Sequence, residues 1–344
     1  MTNSEMLEIV NELYGNGKNG FLEFLDYNRC YNLLQEATNS ANISTPKQLI
    51  SKIAVTERYK ACEAVFEQID FPYAVIKGAV LSQTIYNDPF IRSSADIDLV
   101  IRREDIDSFK NLLQKNGFVQ GRVVDGKIKQ YTRQEIIFQN SMTHQSAPYI
   151  KATGNKLLPY INIDVNMDIL WGESKQKADM NYVLSHREKM RLFDAAFYKL
   201  SSEMEFVALC LHHYKDINSP YLIIRGKFKL GLFCEIYDYL RNVHLDAKKL
   251  IDICDKLNVG KYLFECLVQT QELFGDDICR KYIDLLKVYE DKSLYNTFGL
   301  KESERRPWNM SLRNRITHPN LPKYVYDLLS DKEKENVVLN IKMM

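Results

Sequence analysis

The sequence predicts an α/β (α+β) protein: a mixed-sheet core over 70–185, an N-terminal helical segment over 1–69 and a C-terminal helical domain over 186–344. Three observations predict it. Up to residue 70 apolar residues recur at helical spacing, with Tyr59, Cys62, Val65, Phe66 and Ile69 the clearest stripe. Between 73 and 168 the pattern changes to short apolar runs and strict alternation, the period-two signature of strands. Beyond 200 the helical spacing returns, opened by the capping-box pattern Ser202-Glu203-Met204-Glu205.

In the first segment Met6, Ile9, Val10, Leu13 and Tyr14 share a helical face, followed by a turn at Gly15-Asn16-Gly17. Further helices are expected over 21–37 and 45–70, Pro46 suiting a first helical turn. The core opens with Tyr73-Ala74-Val75-Ile76, an apolar run suited to a central strand covered on both faces. Lys77-Gly78 follows, then a helix over 79–86, a loop over 91–95, a strand over 96–101 and a helix over 103–116 closed by Gly117. Strands are expected over 118–124, 127–131 and 134–139, the first two joined by the hairpin signal Asp125-Gly126. Residues 141–158 read as a long surface loop. Over 160–168, Ile161, Ile163, Val165 and Met167 fall on one face and Asn162, Asp164, Asn166 and Asp168 on the other. After Trp171-Gly172 the chain is expected to stay helical: 204–216, 231–242, 247–257, 261–274, 278–291 and, past an irregular charged tail from 301, 321–328.

Composition narrows the function. The chain has 344 residues, 45% hydrophobic and 26% charged, with a net charge of +1, the make-up of an ordinary globular protein. It carries no global basic field and so no strong nucleic-acid signal. The 21 tyrosines are spread along the chain and read as packing. Seven scattered cysteines form no C-x-x-C pair, which argues for reduced thiols and against a zinc site. No basic leader and no apolar run of about 20 residues is present. The expectation is a soluble, cytoplasmic protein.

The chemistry concentrates in 71–102, FPYAVIKGAVLSQTIYNDPFIRSSADIDLVIR. Asp96 and Asp98, two apart on a strand, point the same way, and like charges held that close are normally kept ionised by a cation between them. An isolated D-x-D is weak evidence. Here a Gly turn precedes it, Arg92, Ser93 and Ser94 abut it, and Asp164 supplies a third carboxylate from a later half-polar strand. Three such oxygens suit Mg2+, with Mn2+ as the alternative ion. Amide N–H groups of a helix starting at Gly78 are placed to face an anion.

The series K-G-x-x-L (Lys77-Gly78-Ala79-Val80-Leu81), R-S-S-x-D-I-D-L-V-I (92–101) and I-D-V-N (163–166) resembles the nucleotidyltransferases of the polymerase-β-like superfamily, in particular a poorly characterised bacterial branch with the K-G-x-x-L turn, related to the antitoxin–toxin and antibiotic-modifying nucleotidyltransferases. The likeness is strong over about 70–170 and weaker to about 242. It implies a metal-dependent transfer of NMP from an NTP, ATP among them, to a hydroxyl or phosphate acceptor with release of pyrophosphate. Asp96, Asp98 and Asp164 would be the catalytic metal ligands. Lys77, Gly78, Arg92, Ser93 and Ser94 would meet the nucleotide. The C-terminal helices would close the cleft over an acceptor of unspecified class, small molecule, peptide, protein or RNA, with His213, Lys227 and Glu235 as candidate residues there. The chain departs from the pattern in three places. Ala79 follows Gly78 where Gly or Ser is usual, Asn166 stands where the branch often has His, and the spacing from Gly78 to Asp96 is longer than usual.

Blander readings stand beside these. Lys77 caps a helix or pairs with a carboxylate; Arg92 is a phosphate ligand or an ion-pair partner of the acids. Asp168 rivals Asp164 as third ligand. His213 reads more readily as a hydrogen-bonded core residue than as a site residue. Glu235, in the middle of an apolar stripe, needs a partner from Lys227, Lys229 or His213. Three rival functions share the motif: a sugar-nucleotide-dependent glycosyltransferase, a tRNA-directed toxin-type nucleotidyltransferase, and a non-catalytic NTP-binding protein.

Overall fold

The computed structural model describes residues 1–15, 18–40, 46–92, 94–142 and 144–343. The chain packs as two units, one of 42–208 and one combining 1–41 with 209–344. These limits differ from the sequence-drawn boundaries at 69/70 and 185/186. The expected turn at 15–17 and the start of the expected third helix at Thr45 lie partly or wholly outside the described residues.

Helices α1 (Asn3–Tyr14), α2 (Phe21–Tyr27) and α3 (Tyr31–Ser40) form the first stretch. The single helix expected over 21–37 is broken at Arg29, whose φ of 58° is left-handed. Thr2 and Glu5 cap α1 reciprocally.

The second unit begins with α4 (Pro46–Glu67), followed by β1 (Tyr73–Ile76), α5 (Gly78–Tyr86), β2 (Ile97–Ile101), α6 (Ile106–Lys115), β3 (Val119–Val124), β4 (Lys127–Gln130), α7 (Arg133–Met142), β5 (Tyr149–Asn155), β6 (Leu158–Asn166), α8 (Met180–Ser185), β7 (Arg187–Leu192) and β8 (Ala195–Leu200). All eight strands form one mixed sheet in the order β4-β3-β5-β6-β2-β1-β8-β7. Strands β1 and β2 are antiparallel, and β2 and β6 are parallel. All four residues of β1 are buried, as its apolar run requires. Val55, Tyr59, Cys62 and Phe66 of α4 join Val75, Leu99, Ile163 and Phe197 from the sheet in one core. The apolar half of β6 is inside and Tyr160, Asn162 and Asp164 are half-buried, as its alternation predicts, whereas Asn166 and Asp168 of the expected polar face are buried.

Three expectations are corrected here. Residues 134–139 are helix, not strand. Thr132 and Glu135 form a capping box in which Glu135 N donates to Thr132 Oγ1 at 3.3 Å and Thr132 N donates to Glu135 Oε2 at 2.7 Å. The loop expected over 141–158 contains β5, whose only fully buried residues are Tyr149 and Ile150. The stretch expected to stay helical after 172 contains the β7–β8 hairpin. Its turn at Phe193-Asp194 lacks the usual Asn-Gly or Asp-Gly signal, yet Phe193 takes φ 55°. The hairpin expected at Asp125-Gly126 is present, with both turn residues at positive φ.

The chain then continues as α9 (Ser202–Asn218), α10 (Pro220–Ile224), α11 (Leu230–Asn242), α12 (Ala247–Leu257), α13 (Gly260–Phe274), α14 (Asp277–Leu285), a two-stranded ribbon of β9 (Thr297–Phe298) and β10 (Arg306–Pro307), and α15 (Leu312–Thr317), α16 (Leu321–Asp327) and α17 (Asp331–Met343). The tail expected to be irregular from 301 thus holds a ribbon strand and, besides α16, the helices α15 and α17. Helix α11 lies against the α2–α3 turn: Gly231 N donates to Asn28 O at 2.8 Å, and a Cβ on Gly231 would sit 2.3 Å from Arg29 O. Backbone cannot yield as a side chain can, so Gly231→Ala is expected to destabilise by about 1–3 kcal/mol, measured as a lower urea midpoint. All seven cysteines are buried and none forms a disulfide. Among the described residues, no helix is long and apolar enough to cross a membrane.

Candidate active site

The site is built on the ends of β1, β2 and β6. In the parallel pair β2–β6, Asp98 is the register partner of Asp164, and in the antiparallel pair β1–β2 it faces Ile76. Asp96 lies just before β2 and is near enough to act on the Asp164 carboxyl. Asp98 and Asp164, far apart in sequence, are therefore neighbours across two adjacent strands. Burial, then Asp98 and Asp96, push the Asp164 carboxyl up to about 7, against the pull of Lys77.

Lys77 is the nearby cation: its Nζ lies 3.2 Å from Asp98 Oδ1, both side chains largely buried. Its backbone is strained, with φ 59° and ψ −155°, a region that glycine alone enters readily. Gly78 also has positive φ, 49°, and a Cβ there would meet Ser94 Oγ at 3.0 Å. This doubly left-handed step turns β1 sharply into α5, whose N-terminus no side chain caps. Such an end presents backbone N–H groups and the positive end of the helix dipole. Because the wild-type Lys carries strain, Lys77→Gly is expected to be more stable than Lys77→Ala by about 1–3 kcal/mol, reversing the usual order of the two residues. Denaturation midpoints of the two variants check it.

The loop over 88–96 is tied down from several sides. Ser82 Oγ donates to Asp88 O at 2.7 Å and accepts from Arg92 N at 3.0 Å. Ser94 Oγ lies 2.8 Å from Asp96 O and 3.1 Å from Asp96 Oδ1, sharing its proton between them. Ser93 lies outside the described residues.

Two residues that sequence reasoning gave no role complete the frame. Arg58 of α4 is buried and donates from Nη1 to Ser94 O at 2.9 Å; burial lowers its pKa while Asp96 opposes that. Its signal was present, an arginine beside Val55, Tyr59 and Cys62 on an apolar helical stripe. Asn166 donates from Nδ2 to Leu99 O at 3.1 Å and approaches Asp98 Oδ1 at 3.5 Å, while Gln145 Nε2 donates to its Oδ1 at 2.8 Å. The asparagine at the place of the branch's histidine thus buttresses Asp98.

Asp168 is placed differently from Asp164. It lies past the end of β6, buried, and its Oδ1 accepts from Leu170 N at 2.9 Å and Ala178 N at 3.4 Å, which closes the following loop. Of the residues assigned to an acceptor, His213, Lys227 and Glu235 all belong to the unit of 1–41 and 209–344. His213 Nε2 lies 3.1 Å from Glu235 Oε2 and both are buried, which makes His213 one of the partners of Glu235.

Among the described residues, no three His, Cys, Asp or Glu side chains are gathered closely enough to hold one ion. The donor set nonetheless fits a hard cation. It is all oxygen, Asp164 carries a charge that its surroundings oppose, and the Lys77 ammonium sits on Asp98 as a cation would. An ion held by one or two of these carboxylates would complete its shell with phosphate oxygens and water, the usual pattern for Mg2+.

A mixed sheet with carboxylates from two adjacent strands beside an uncapped helix start is the arrangement that the resemblance to nucleotidyltransferases leads one to expect. Residues 49–275, well over half of the chain, match the family described as "Uncharacterised nucleotidyltransferase", and the chain belongs to that family. The family described transfers nucleotidyl groups, which separates the reaction class from that of a sugar-nucleotide glycosyltransferase. No curated protein matches the chain.

Proposed function

We propose that the protein transfers a nucleoside monophosphate from an NTP, ATP among the candidates, to a hydroxyl or phosphate acceptor. The acceptor oxygen forms a bond to the α-phosphorus, the bond to the bridging oxygen breaks, and pyrophosphate leaves. The observation that supports this best is the register pairing of Asp98 with Asp164, with Lys77 on Asp98.

Asp96, Asp98 and Asp164 would hold divalent ions, Mg2+ or Mn2+, which when bound neutralise phosphate charge and acidify the acceptor hydroxyl. The chain's own residues do the rest. Lys77 exchanges Asp98 for a phosphate oxygen, the N–H groups at the start of α5 face the triphosphate, and Ser94 with Arg58 holds Asp96 in place. Asp164, beside the ion it would help to hold, is placed to take the proton leaving the acceptor. Arg92 and Ser93 belong to the nucleotide side. The acceptor is a small molecule, a peptide or protein, or RNA. The cytoplasm is the proposed setting.

The test is pyrophosphate release from each of the four NTPs with Mg2+. Turnover that stops with EDTA and returns with Mg2+ or Mn2+ is the expected result. Turnover unaffected by EDTA contradicts the metal assignment.

A further inference from the structure

Where the turn between α2 and α3 rests on the start of α11, a lysine is enclosed. Lys229, the residue before α11, is 7% exposed. Its Nζ lies 3.1 Å from the centre of the Tyr27 ring, and Tyr27 is itself 64% exposed. The ammonium therefore sits just beneath the surface, covered by one aromatic face. Among the described residues it has no hydrogen-bond acceptor and no carboxylate beside it, and it is not one of the side-chain nitrogens sealed from solvent.

A buried ammonium normally has a carboxylate partner. The charges that act on this one are cations instead: Arg29 of the turn, which is exposed, and Lys227, which is half-buried. The start of α11 adds the positive end of a helix dipole. Its first N–H groups are already engaged, Leu230 N donating to Asn28 Oδ1 at 3.3 Å and Gly231 N to Asn28 O at 2.8 Å. A ligand here is therefore met by side chains and not by the helix end. The face of a tyrosine ring compensates an ammonium only in part. Burial, then Arg29 and Lys227, accordingly push the Lys229 ammonium down to about 8.

Because Arg29 and Lys227 act on the same point, a ligand that balances Lys229 must bring more than one negative charge. A carboxylate brings one. A phosphate dianion brings two, and its oxygens suit both the point charge of a lysine and the fork of an arginine. We propose that Lys229, Lys227 and Arg29 bind a phosphate dianion, free or as the phosphomonoester of a small molecule. Tyr27 has to give up its place over the ammonium; its side chain is mostly exposed and makes no hydrogen bond among the described residues. All four residues belong to the unit of 1–41 and 209–344, and Tyr27 and Arg29 precede the family match at 49–275, so the site does not depend on the transfer reaction proposed above.

The test is calorimetric titration of the full-length chain with inorganic phosphate, ribose 5-phosphate and AMP, and with acetate as a monoanion. At least one phosphate is expected to bind with a Kd at or below about 1 mM, and acetate at least about tenfold more weakly. Tighter binding of an ester than of inorganic phosphate assigns the site to a phosphorylated molecule; equal binding assigns it to the free anion. Lys229→Met should weaken the binding at least about tenfold and leave the Tm unchanged or higher, because an uncompensated buried charge gives way to an apolar chain of similar length. Arg29→Asn is the second variant. Arg29 is exposed and its φ of 58° is one that asparagine adopts readily, so the fold is kept while binding weakens about two- to fivefold. Phosphate held at the start of α5 instead would be lost in Lys77→Ala and kept in Lys229→Met, and that result overturns the proposal. So do the absence of phosphate binding up to about 10 mM and acetate binding as tight as that of phosphate.

Discussion

Asp98→Asn lowers nucleotidyl transfer by at least about 10³-fold while the chain still folds. Asp98 is the position where the site's parts meet: Asp164 is its register partner, Lys77 pairs with its carboxylate, and Asn166 approaches the same oxygen. Asparagine preserves shape and removes the charge. The lost Lys77 pair destabilises, and relief of the repulsion toward Asp164 offsets that loss. The net change in stability is expected within about 1 kcal/mol, because the pair is only partly buried. Pyrophosphate release and a thermal melt on the same preparation check both halves. Transfer within tenfold of wild type would remove Asp98 from the machinery.

Asp164→Asn abolishes transfer and, without divalent ions, makes the protein more stable at alkaline pH. In the folded chain this carboxyl sits at about 7, raised from an ordinary 3.8. The folded state therefore holds its proton more tightly than the unfolded state does, and ionising it costs folding stability. That cost begins as pH rises above about 4, is complete above about 7, and is absent from the asparagine variant. The variant's Tm should exceed wild type by about 2–4 °C at pH 8, a figure discounted for the residue's partial exposure, and converge with it near pH 4. Mg2+ with NTP should raise the wild-type Tm and leave the variant's unchanged. A variant less stable than wild type at pH 8 would mean that Asp164 is compensated within the chain itself. Stability given up at a reacting group is a common pattern in enzymes, and this site shows it twice, in Asp164 and in the strained backbone of Lys77.

Much of this was legible in the sequence because the carriers are periodic. The run at 73–76, the D-x-D and the alternation at 160–168 each specify a strand face. Once β2 and β6 are neighbours, Asp98 and Asp164 must share a side. What the sequence left open was the neighbour relation itself, which depends on packing among distant segments. The missed elements failed for local reasons. Helix α7 was masked by the β-branched Ile136-Ile137 despite its Thr132-x-x-Glu135 capping box. The β7–β8 hairpin turns on Phe193-Asp194, which carries no turn signature, and α17 begins after a Ser330-x-x-Glu333 box whose hydroxyl donates to the carboxylate at 2.5 Å. Arg58 and the Lys77 strain were hidden for another reason. A residue's partner 36 positions away and its backbone angles are properties of the fold, and neither has a spacing to read.

The central claim is that the sheet end carrying Asp96, Asp98 and Asp164 moves the α-phosphoryl group of an NTP. Its most direct measurement follows two labels through one reaction. Wild type and Asp98→Asn are incubated with Mg2+, each NTP labelled at the α- or the γ-phosphate, and pooled small-molecule, protein and RNA acceptors. Wild type is expected to pass the α-label to an acceptor and release the γ-label as pyrophosphate, and Asp98→Asn to do neither. Passage of the γ-label to the acceptor, or equal α-labelling by the variant, would contradict it.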